Sequence, residues 1–388
     1  MSSTPAPLAL TLDVSAVPAQ PAGAGRYTIE LARAMAARRD LGLTVVTRRK
    51  DVARWEDLAA RAGPEGHMAV AALVPGPRPA RLVFEQLRLG RALVELGPEV
   101  HHGPHYTMPA RSPVPVVVTI HDVTFFEHPE WHERTKAAFF RHAIARAAKE
   151  AAALVCVSAF TAGRLQEVCE VRAPVFVVPH GVDHDRFGPS EPAPGHDQAQ
   201  LSALGLDARD PLVVFVGTRE PRKGVVDLVE AFDRVAETHK SARLVLAGQP
   251  GWSDERAERA LAGARHGDRV VEVGYVPDGA LPALLRGAAV VAYPSLEEGY
   301  GLPALEALAC GAPLVTTSGT VMEETAGGAA LLVPPGDPGA LADALGAVLE
   351  GSVDRAAMHQ RGLAVAAART WEASAGGHLG AYRAAREQ

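Results

Sequence analysis

Two stretches of this chain carry residue types at spacings that can do chemistry. In VFVGTREPRKGVVDLVEAF an apolar run ends at Gly217, and Arg219, Arg222 and Lys223 follow before Gly224 opens a helical pattern. Cations are favoured at helix C-termini, so three of them at an N-terminal end run against the helix macrodipole. A local conflict of that kind marks a place where an anion is expected, a solvated charged loop being the plainer alternative. Lys223 is followed by Gly224 and Val225, not by the Ser or Thr of a Walker-type P-loop.

The second stretch, YPSLEEGYGLPALEALACGAPLVTT, is denser. An apolar strand pattern runs into an acidic loop containing glycine, and Pro303 stands where the first turn of a helix accepts it. Glu298 lies in the loop and Glu306 on the helix, one to two turns inside. Backbone N–H groups around Gly301 and Leu302 are expected to be free at the helix start, as the first N–H groups of any helix are. Such a loop can hold a diphosphate on its amides while the carboxylates accept hydrogen bonds from hydroxyl groups. Carboxylates beside a diphosphate would repel it, so hydroxyl recognition is their better task.

A third candidate, QPAGAGRYTIELARAM, places Gly23 and Gly25 just before a helical pattern. Glycines there let the backbone approach a ligand and leave helix N–H groups to an anion; a tight turn explains them as well. A dinucleotide fingerprint needs a third glycine where Thr28 stands. Asp183 and Asp185 form an Asp-x-Asp pair of the kind that can hold a divalent metal, and His101, His102 and His105 cluster in sequence. The histidines are read as loop residues rather than metal ligands. Cys156, Cys169 and Cys310 share no metal-ligand spacing, are too few for a disulfide framework, and suit buried thiols in a reducing cytoplasm.

These loops need a frame that brings them together. The 388 residues suit two domains rather than one core. Short β-branched runs alternate with Ala- and Leu-rich helical patterns, the sign of βαβ units and parallel sheets. The first series of strands is LALTLDV, LTVVTR, EVHHG, VPVVVTIHD, ALVCVS and VFVVPHGVD. RYTIELARAMAARR, FEQLRLGRALVEL and TKAAFFRHAIARAAKEA are the helical patterns between them. PSEPAPGHDQAQ has no apolar period and reads as a linker. A second series follows in PLVVFVG, RLVLAG, VVEVGYV, AVVAYPS, PLVTT and AALLVPP. The expected organisation is an N-terminal Rossmann-like domain over 1–188, a linker over 189–208 and a C-terminal Rossmann-like domain over 209–370. A final amphipathic helix over 371–388 closes the second domain or crosses back to the first.

Bulk composition narrows the partners. Net charge is −6, against the basic excess of a nucleic-acid surface. The N-terminal MSSTPAPLALTLDV lacks the basic start and long apolar run of a signal peptide. No window reaches the ~18–20 apolar residues of a membrane span. Arg141, Arg146, Lys149 and Glu150 break the stretch RHAIARAAKEAAALVCVSAF, and a helix with basic residues on one face leaves peripheral contact with a membrane open.

With these residues in place, a resemblance becomes specific. EGYGLPALEALACGAPLVTT closely resembles the signature of the retaining glycosyltransferases of family four, with seven residues between its two glutamates, and VGTREPRKG resembles that family's phosphate-binding loop. VVTIHDVTFFEHPEW, LVCVSAFTAGRL, VVPHGVDHDRF and EVGYVPDGALPALLRGA fall in the same order, so the similarity runs from AGAGRY to WEASAGGHLGAYRAA. It implies an α/β protein of GT-B fold, two facing Rossmann-like doubly wound domains with a donor/acceptor cleft, the donor mainly on the second.

Residue by residue, the resemblance implies that Glu306 binds the ribose hydroxyls of a nucleotide-diphosphate sugar and Glu298 the hydroxyls of the transferred sugar. Amides near Gly301 and Leu302 would lie by the diphosphate. Lys223 matches the phosphate-binding lysine, and His121 a histidine near the reacting sugar. The nucleobase would lie by Val276. Thr218 replaces a frequent family arginine, and Arg222 or Arg219 would supply its charge. The Asp183 pair matches a structural turn, so no metal and no cofactor beyond the donor is expected. Helix termini contribute ~0.3–1 kcal/mol each, far below the ~8 kcal/mol or more of enzymatic acceleration, so positioned cations are required. The expected activity is metal-independent, retaining hexosyl transfer in the cytoplasm from GDP-mannose or a UDP-sugar to a saccharide, lipid-linked or small-molecule acceptor. The EPRK and HDVTFFEHPEW loops resemble mannosyl- and rhamnosyl-type enzymes of surface polysaccharides. Rival readings are an epimerase or phosphorylase on the same architecture, a nicotinamide-dependent oxidoreductase and a non-catalytic partner subunit.

Overall fold

The computed structural model describes residues 6–62, 67–249, 251 and 255–388; residues 1–5 of the N-terminal segment, part of the signal-peptide reading, lie outside these. The chain forms two compact units, one of Met1–Gly181 with Trp371–Gln388, the other of Val182–Thr370.

The first unit holds a seven-stranded sheet of β1 (Leu8–Asp13), β2 (Leu41–Arg48), β3 (Met68–Val74), β4 (Val100–Gly103), β5 (Val116–Ile120), β6 (Ala153–Cys156) and β7 (Val175–Val177), ordered β3-β2-β1-β4-β5-β6-β7. Every described pairing is parallel, from Leu8 opposite Leu41 to Cys156 opposite Val177. Parallel neighbours need a crossover of a dozen or more residues, usually a helix, so helices cover both faces and the strands read as unbroken apolar runs. All five residues of β5 are buried accordingly. Such a run is stabilised by about 1.5–3 kcal/mol for each buried Val or Ile.

β3 was not among the sequence expectations. It is an edge strand, half-exposed along most of its length, and its short Ala-rich apolar run, MAVAALV, is of a kind that periodicity alone does not tell from helix. The pattern FEQLRLGRALVEL is two helices, Arg78–Leu87 and Leu89–Leu96, because Arg88 leaves helical geometry at φ −124°. His101 and His102 are buried in β4 and not in a loop.

The second unit holds β8 (Leu212–Val216), β9 (Arg243–Ala247), β10 (Val270–Gly274), β11 (Ala288–Tyr293), β12 (Leu314–Thr317) and β13 (Leu331–Val333), ordered β10-β9-β8-β11-β12-β13, also parallel. Segment 189–208 is more than a linker. It includes the helix His196–Ala203, whose Leu201 is only 2% exposed, and Arg286 clamps Asp197 through Nε at 2.6 Å and Nη2 at 2.7 Å. The terminal helix Trp371–Arg386 packs in the first unit: Tyr382 hydroxyl meets His102 Nδ1 at 2.8 Å, and His378 Nε2 meets Tyr27 hydroxyl at 2.8 Å. Among the described residues no helix is long and apolar enough to cross a membrane.

Both sheets are doubly wound. The strand order reverses between β1 and β4 in the first unit and between β8 and β11 in the second. Sheets of this kind bind ligands outside the carboxyl ends of the strands at the reversal.

Candidate functional site

In the second unit the two loops singled out by chemistry follow the two strands at the reversal. β8 and β11 pair directly, with Val214 opposite Val291, so the segments after Val216 and Tyr293 emerge side by side. Pro221–Lys223 forms a single 3-10 turn, and Gly224 then takes φ +67° to start the helix Val225–Thr238. A Cβ at Gly224 would stand 2.1 Å from the Pro294 carbonyl oxygen. Only glycine allows both that φ and that approach. The Leu296 amide donates to the Arg222 carbonyl at 2.7 Å and fastens the loops a second time.

This junction joins Lys223 to Glu298, both 7% exposed. Lys223 Nζ donates to Glu298 Oε1 and, at 2.7 Å, to the Tyr293 hydroxyl. The Tyr293 hydroxyl in turn donates a hydrogen bond to the same Oε1 at 2.8 Å. Arg222 Nη1 donates to Glu298 Oε2 at 2.6 Å, and its Nε to Glu220 Oε2 at 2.7 Å. Both oxygens of Glu298 are thus held by cations. Two cations and two carboxylates form a small network in a low-dielectric setting, where charges are tolerated only when paired and hydrogen-bonded. Burial pushes the Tyr293 phenol well above its ordinary range, with smaller influences from Arg222, Glu220 and Glu306, so it is a neutral donor at physiological pH. The sequence analysis did not single out Tyr293; its only signal was an aromatic hydroxyl at the end of an otherwise aliphatic strand.

Glu306 lies half-buried on the helix Leu302–Ala309, within electrostatic reach of Tyr293. No side chain caps that helix, whose N-cap Gly301 has φ +92°, and a Cβ there would meet Met322 Sδ at 2.6 Å. The first N–H groups of the helix are therefore not taken up by a side-chain cap. Pro303 occupies its first turn. The structure brings Arg222, Lys223, Glu298, Gly301, Leu302 and Glu306 to the same two loops and the helix that follows them. Arg219 turns elsewhere, pairing through Nη1 with Glu272 of β10. Thr218 lies half-buried between Gly217 and Arg219, its carbonyl accepting from the Glu220 amide at 2.9 Å. Val276 is buried just beyond the end of β10.

The remaining candidates belong to the first unit. His121 follows β5 and is buried, with Nε2 at 2.7 Å from the Pro104 carbonyl. A carbonyl only accepts, so Nε2 carries the proton and Nδ1 is the acceptor. Burial lowers the basicity of this imidazole, opposed by Pro104 and Asp122, which keeps the ring neutral. Tyr27 meets it edge-on at 5.0 Å between ring centres. Gly23, at φ +44°, is the N-cap of the helix Ala24–Ala36, so Gly25 lies within the first turn rather than before it.

Asp183, in the second unit, accepts the amides of Asp185 at 3.1 Å and Arg186 at 3.3 Å. It holds a turn, as the sequence suggested. Among the described residues no group of three or more His, Cys, Asp or Glu side chains is arranged to hold a metal ion. Cys156 and Cys310 are buried, with thiols pushed up to about 12 by burial.

Comparison with known proteins adds independent findings. A family model described as glycosyl transferases group 1 matches residues 197–364, and one described as glycosyltransferase family 4 matches residues 21–186. The chain is 28% identical over 378 residues to the O-antigen chain mannosyltransferase B of Escherichia coli, covering 93% of this chain and 96% of that one. The sucrose-phosphate synthase of Thermosynechococcus elongatus superposes with a TM-score of 0.75 at 22% identity, covering 97% of this chain and 98% of that one. Anabaena HepE in complex with UDP-glucose superposes with a TM-score of 0.73 at 18% identity, over 96% and 99%. These two likenesses identify the GT-B fold.

Proposed function

The chain belongs to the group 1 glycosyltransferases of family four, and from that premise we propose that it transfers a hexose, with retention, from a nucleotide-diphosphate sugar without a metal. The observation that carries this reading is the convergence of Lys223 and Arg222 on Glu298 at the strand reversal of the second sheet. As the sugar–phosphate bond breaks, negative charge builds on the leaving diphosphate. Lys223 and Arg222 are the cations able to neutralise it, helped by the amides at Gly301 and Leu302. Glu298 would then exchange cation contacts for hydroxyl groups of the sugar, and Glu306 would accept hydrogen bonds from the ribose. Val276 would border the base.

Retention follows from attack on the face that the diphosphate leaves. The bond from the anomeric carbon to the phosphate oxygen breaks, the acceptor oxygen bonds to that carbon, and the acceptor proton passes to a phosphate oxygen. A carboxylate with both oxygens on cations is a poor nucleophile, which supports a route without a covalent sugar–enzyme intermediate. In the first unit His121 presents a neutral ring whose bare Nδ1 can accept from a sugar hydroxyl. The near-full-length mannosyltransferase relative favours GDP-mannose as the donor, ahead of a UDP-sugar, and a saccharide acceptor. The Anabaena neighbour carries a ligand of the same class. Incubation with each nucleotide sugar in chelator tests the reading: release of nucleoside diphosphate from one donor is expected, and release dependent on added divalent metal would contradict it.

A further inference from the structure

The helices Arg78–Leu87 and Leu89–Leu96, between β3 and β4, carry more apolar surface than the core takes up. Inward, Phe84, Leu89 and Leu93 pack with Val46 and Val74. Outward, Val83 is 57%, Leu87 76% and Val94 66% exposed. No other large apolar side chain among the described residues is as exposed as any of these three. Val83 and Leu87 stand four positions apart, on one side of their helix. Apolar side chains scattered singly over a surface need no explanation, but a group of them rimmed by polar residues marks an interaction site.

The charges around this group are of one sign and are not neutralised. Arg78 at the start of the first helix and Arg88 at the kink between the two are exposed, and neither makes an ion pair among the described residues. Arg111 is exposed and likewise without an ion pair among them. Its backbone lies against the second helix, since a Cβ at Gly90 would stand 2.3 Å from the Arg111 carbonyl oxygen. Glu95, the exposed carboxylate on these helices, is 3.9 Å from Arg91 and leaves the three arginines uncompensated. By contrast, exposed Arg61 pairs with Asp57 at 3.0 Å and Arg172 with Glu170 at 2.7 Å. The chain as a whole carries −6, so this excess of cations is local. The helix Arg134–Glu150, where the sequence leaves membrane contact open, offers no such surface. Arg141 Nε donates to the Phe125 carbonyl at 2.5 Å, Arg146 pairs with Glu150 at 3.1 Å and Lys149 with Glu170 at 3.0 Å.

We propose that the outward face of the helices Arg78–Leu87 and Leu89–Leu96 docks on a bilayer surface of anionic lipid. Val83, Leu87 and Val94 enter the boundary between headgroups and acyl chains, and Arg78, Arg88 and Arg111 meet the lipid phosphates. An apolar face bordered by basic residues is the composition of helices that lie in that boundary. Arginine suits the rim because its apolar stem follows the bilayer while the guanidinium stays with the phosphates. A second copy of the chain, meeting this face with its own, would set the same arginines against each other. Charge therefore favours lipid over self-association. The surface belongs to the first unit and does not rest on the transfer reading.

The test is co-sedimentation of the full chain with vesicles of phosphatidylcholine alone and of an equal mixture of phosphatidylcholine and phosphatidylglycerol. The wild type is expected to partition onto the mixed vesicles far more strongly, and less so at high salt. Arg88→Gln/Arg111→Gln weakens partition about 25-fold, from roughly fivefold for each arginine. Leu87→Gln weakens it about tenfold. Arg209→Gln/Lys240→Gln, the same change of charge on exposed residues of the second unit, leaves it near that of the wild type. Melting temperatures of all variants stay at the wild-type value, because the substituted side chains are exposed. Failure of the wild type to bind the mixed vesicles overturns the proposal, as does partition indifferent to Leu87→Gln or lost equally in the second-unit variant. Dimerisation that Leu87→Gln abolishes, with no vesicle binding, overturns it in favour of a second copy. A wild type that binds vesicles but shows no thermal shift with any nucleotide sugar leaves the surface standing and overturns the transfer reading.

Discussion

Lys223 and Glu298, 75 positions apart in the chain, share one buried contact in which the lysine nitrogen also meets Tyr293 at 2.7 Å. Neither loop creates this alone. The pairing of β8 with β11 places the loops side by side, and Gly224 lets one backbone press on the other. From that relationship the main consequences can be drawn.

Lys223→Ala removes an aimed cation from the leaving group. Loss of one such donor typically costs ~3–4 kcal/mol in turnover, on the order of a hundredfold or more. It also strips Glu298 of one cation, and breaking a buried pair from one side costs ~3–5 kcal/mol of stability. Single-turnover kinetics at low temperature, with denaturant titration alongside, separate the two. Near-normal turnover in the folded variant would show that this lysine does not stabilise the developing charge.

Gly224→Ala tests the loop junction itself. Alanine at φ +67° costs about 1–2 kcal/mol from backbone strain alone. Its Cβ would also lie 2.1 Å from the Pro294 oxygen, so the loops must part. The expected outcome is a lower denaturation midpoint together with weaker donor binding by calorimetry. Normal donor affinity in this variant would mean that the two loops need not be locked together.

Much of this arrangement is legible in the sequence, for identifiable reasons. β8 and β11 are continuous apolar runs because parallel strands are buried on both faces, and the loops after them are marked by charge and glycine. β3 escapes because its short Ala-rich run MAVAALV has only two β-branched residues, and such a run reads as helix as readily as strand. The helix His196–Ala203 escapes because it shows one buried face, Leu201, within a polar segment rich in proline and glycine. Tyr293 is missed because its role depends on Lys223 and Glu298 reaching it from two loops. The sequence could pair Lys223 with Arg222 or Arg219; geometry turns Arg222 to Glu298 and Arg219 to Glu272.

Stability is expected to fall on mild acidification. His101 and His378 are buried, and burial holds each at about 4. His102 and His180 are lowered well below the usual 6.5 for the same first cause. The unfolded chain binds more protons than the folded one below that ordinary value. Stability is therefore full above pH ~6.5 and is lost as pH falls toward ~4, at up to about 1.4 kcal/mol per unit for each histidine. Denaturant midpoints at pH 7.5, 6.0 and 5.0 should fall progressively; a flat profile would mean that these rings are not held neutral.

The stereochemical course is read from the product. Proton NMR of the first-formed glycoside, taken before mutarotation or further transfer, should show the anomeric configuration of the donor. An inverted linkage removes same-face attack and calls for a general base beside the acceptor.

The most direct measurement is thermal stability against a panel of UDP-, GDP-, ADP- and TDP-sugars with chelator present, on the wild type and on Glu306→Ala. A ligand at a hundredfold excess over its dissociation constant stabilises by ~2.7 kcal/mol, a shift of a few degrees in a protein of this size. The expected result is a shift with one donor, GDP-mannose foremost, that Glu306→Ala abolishes. No shift with any donor, or a shift that survives loss of Glu306, would contradict the assignment of the donor to the loops after β8 and β11.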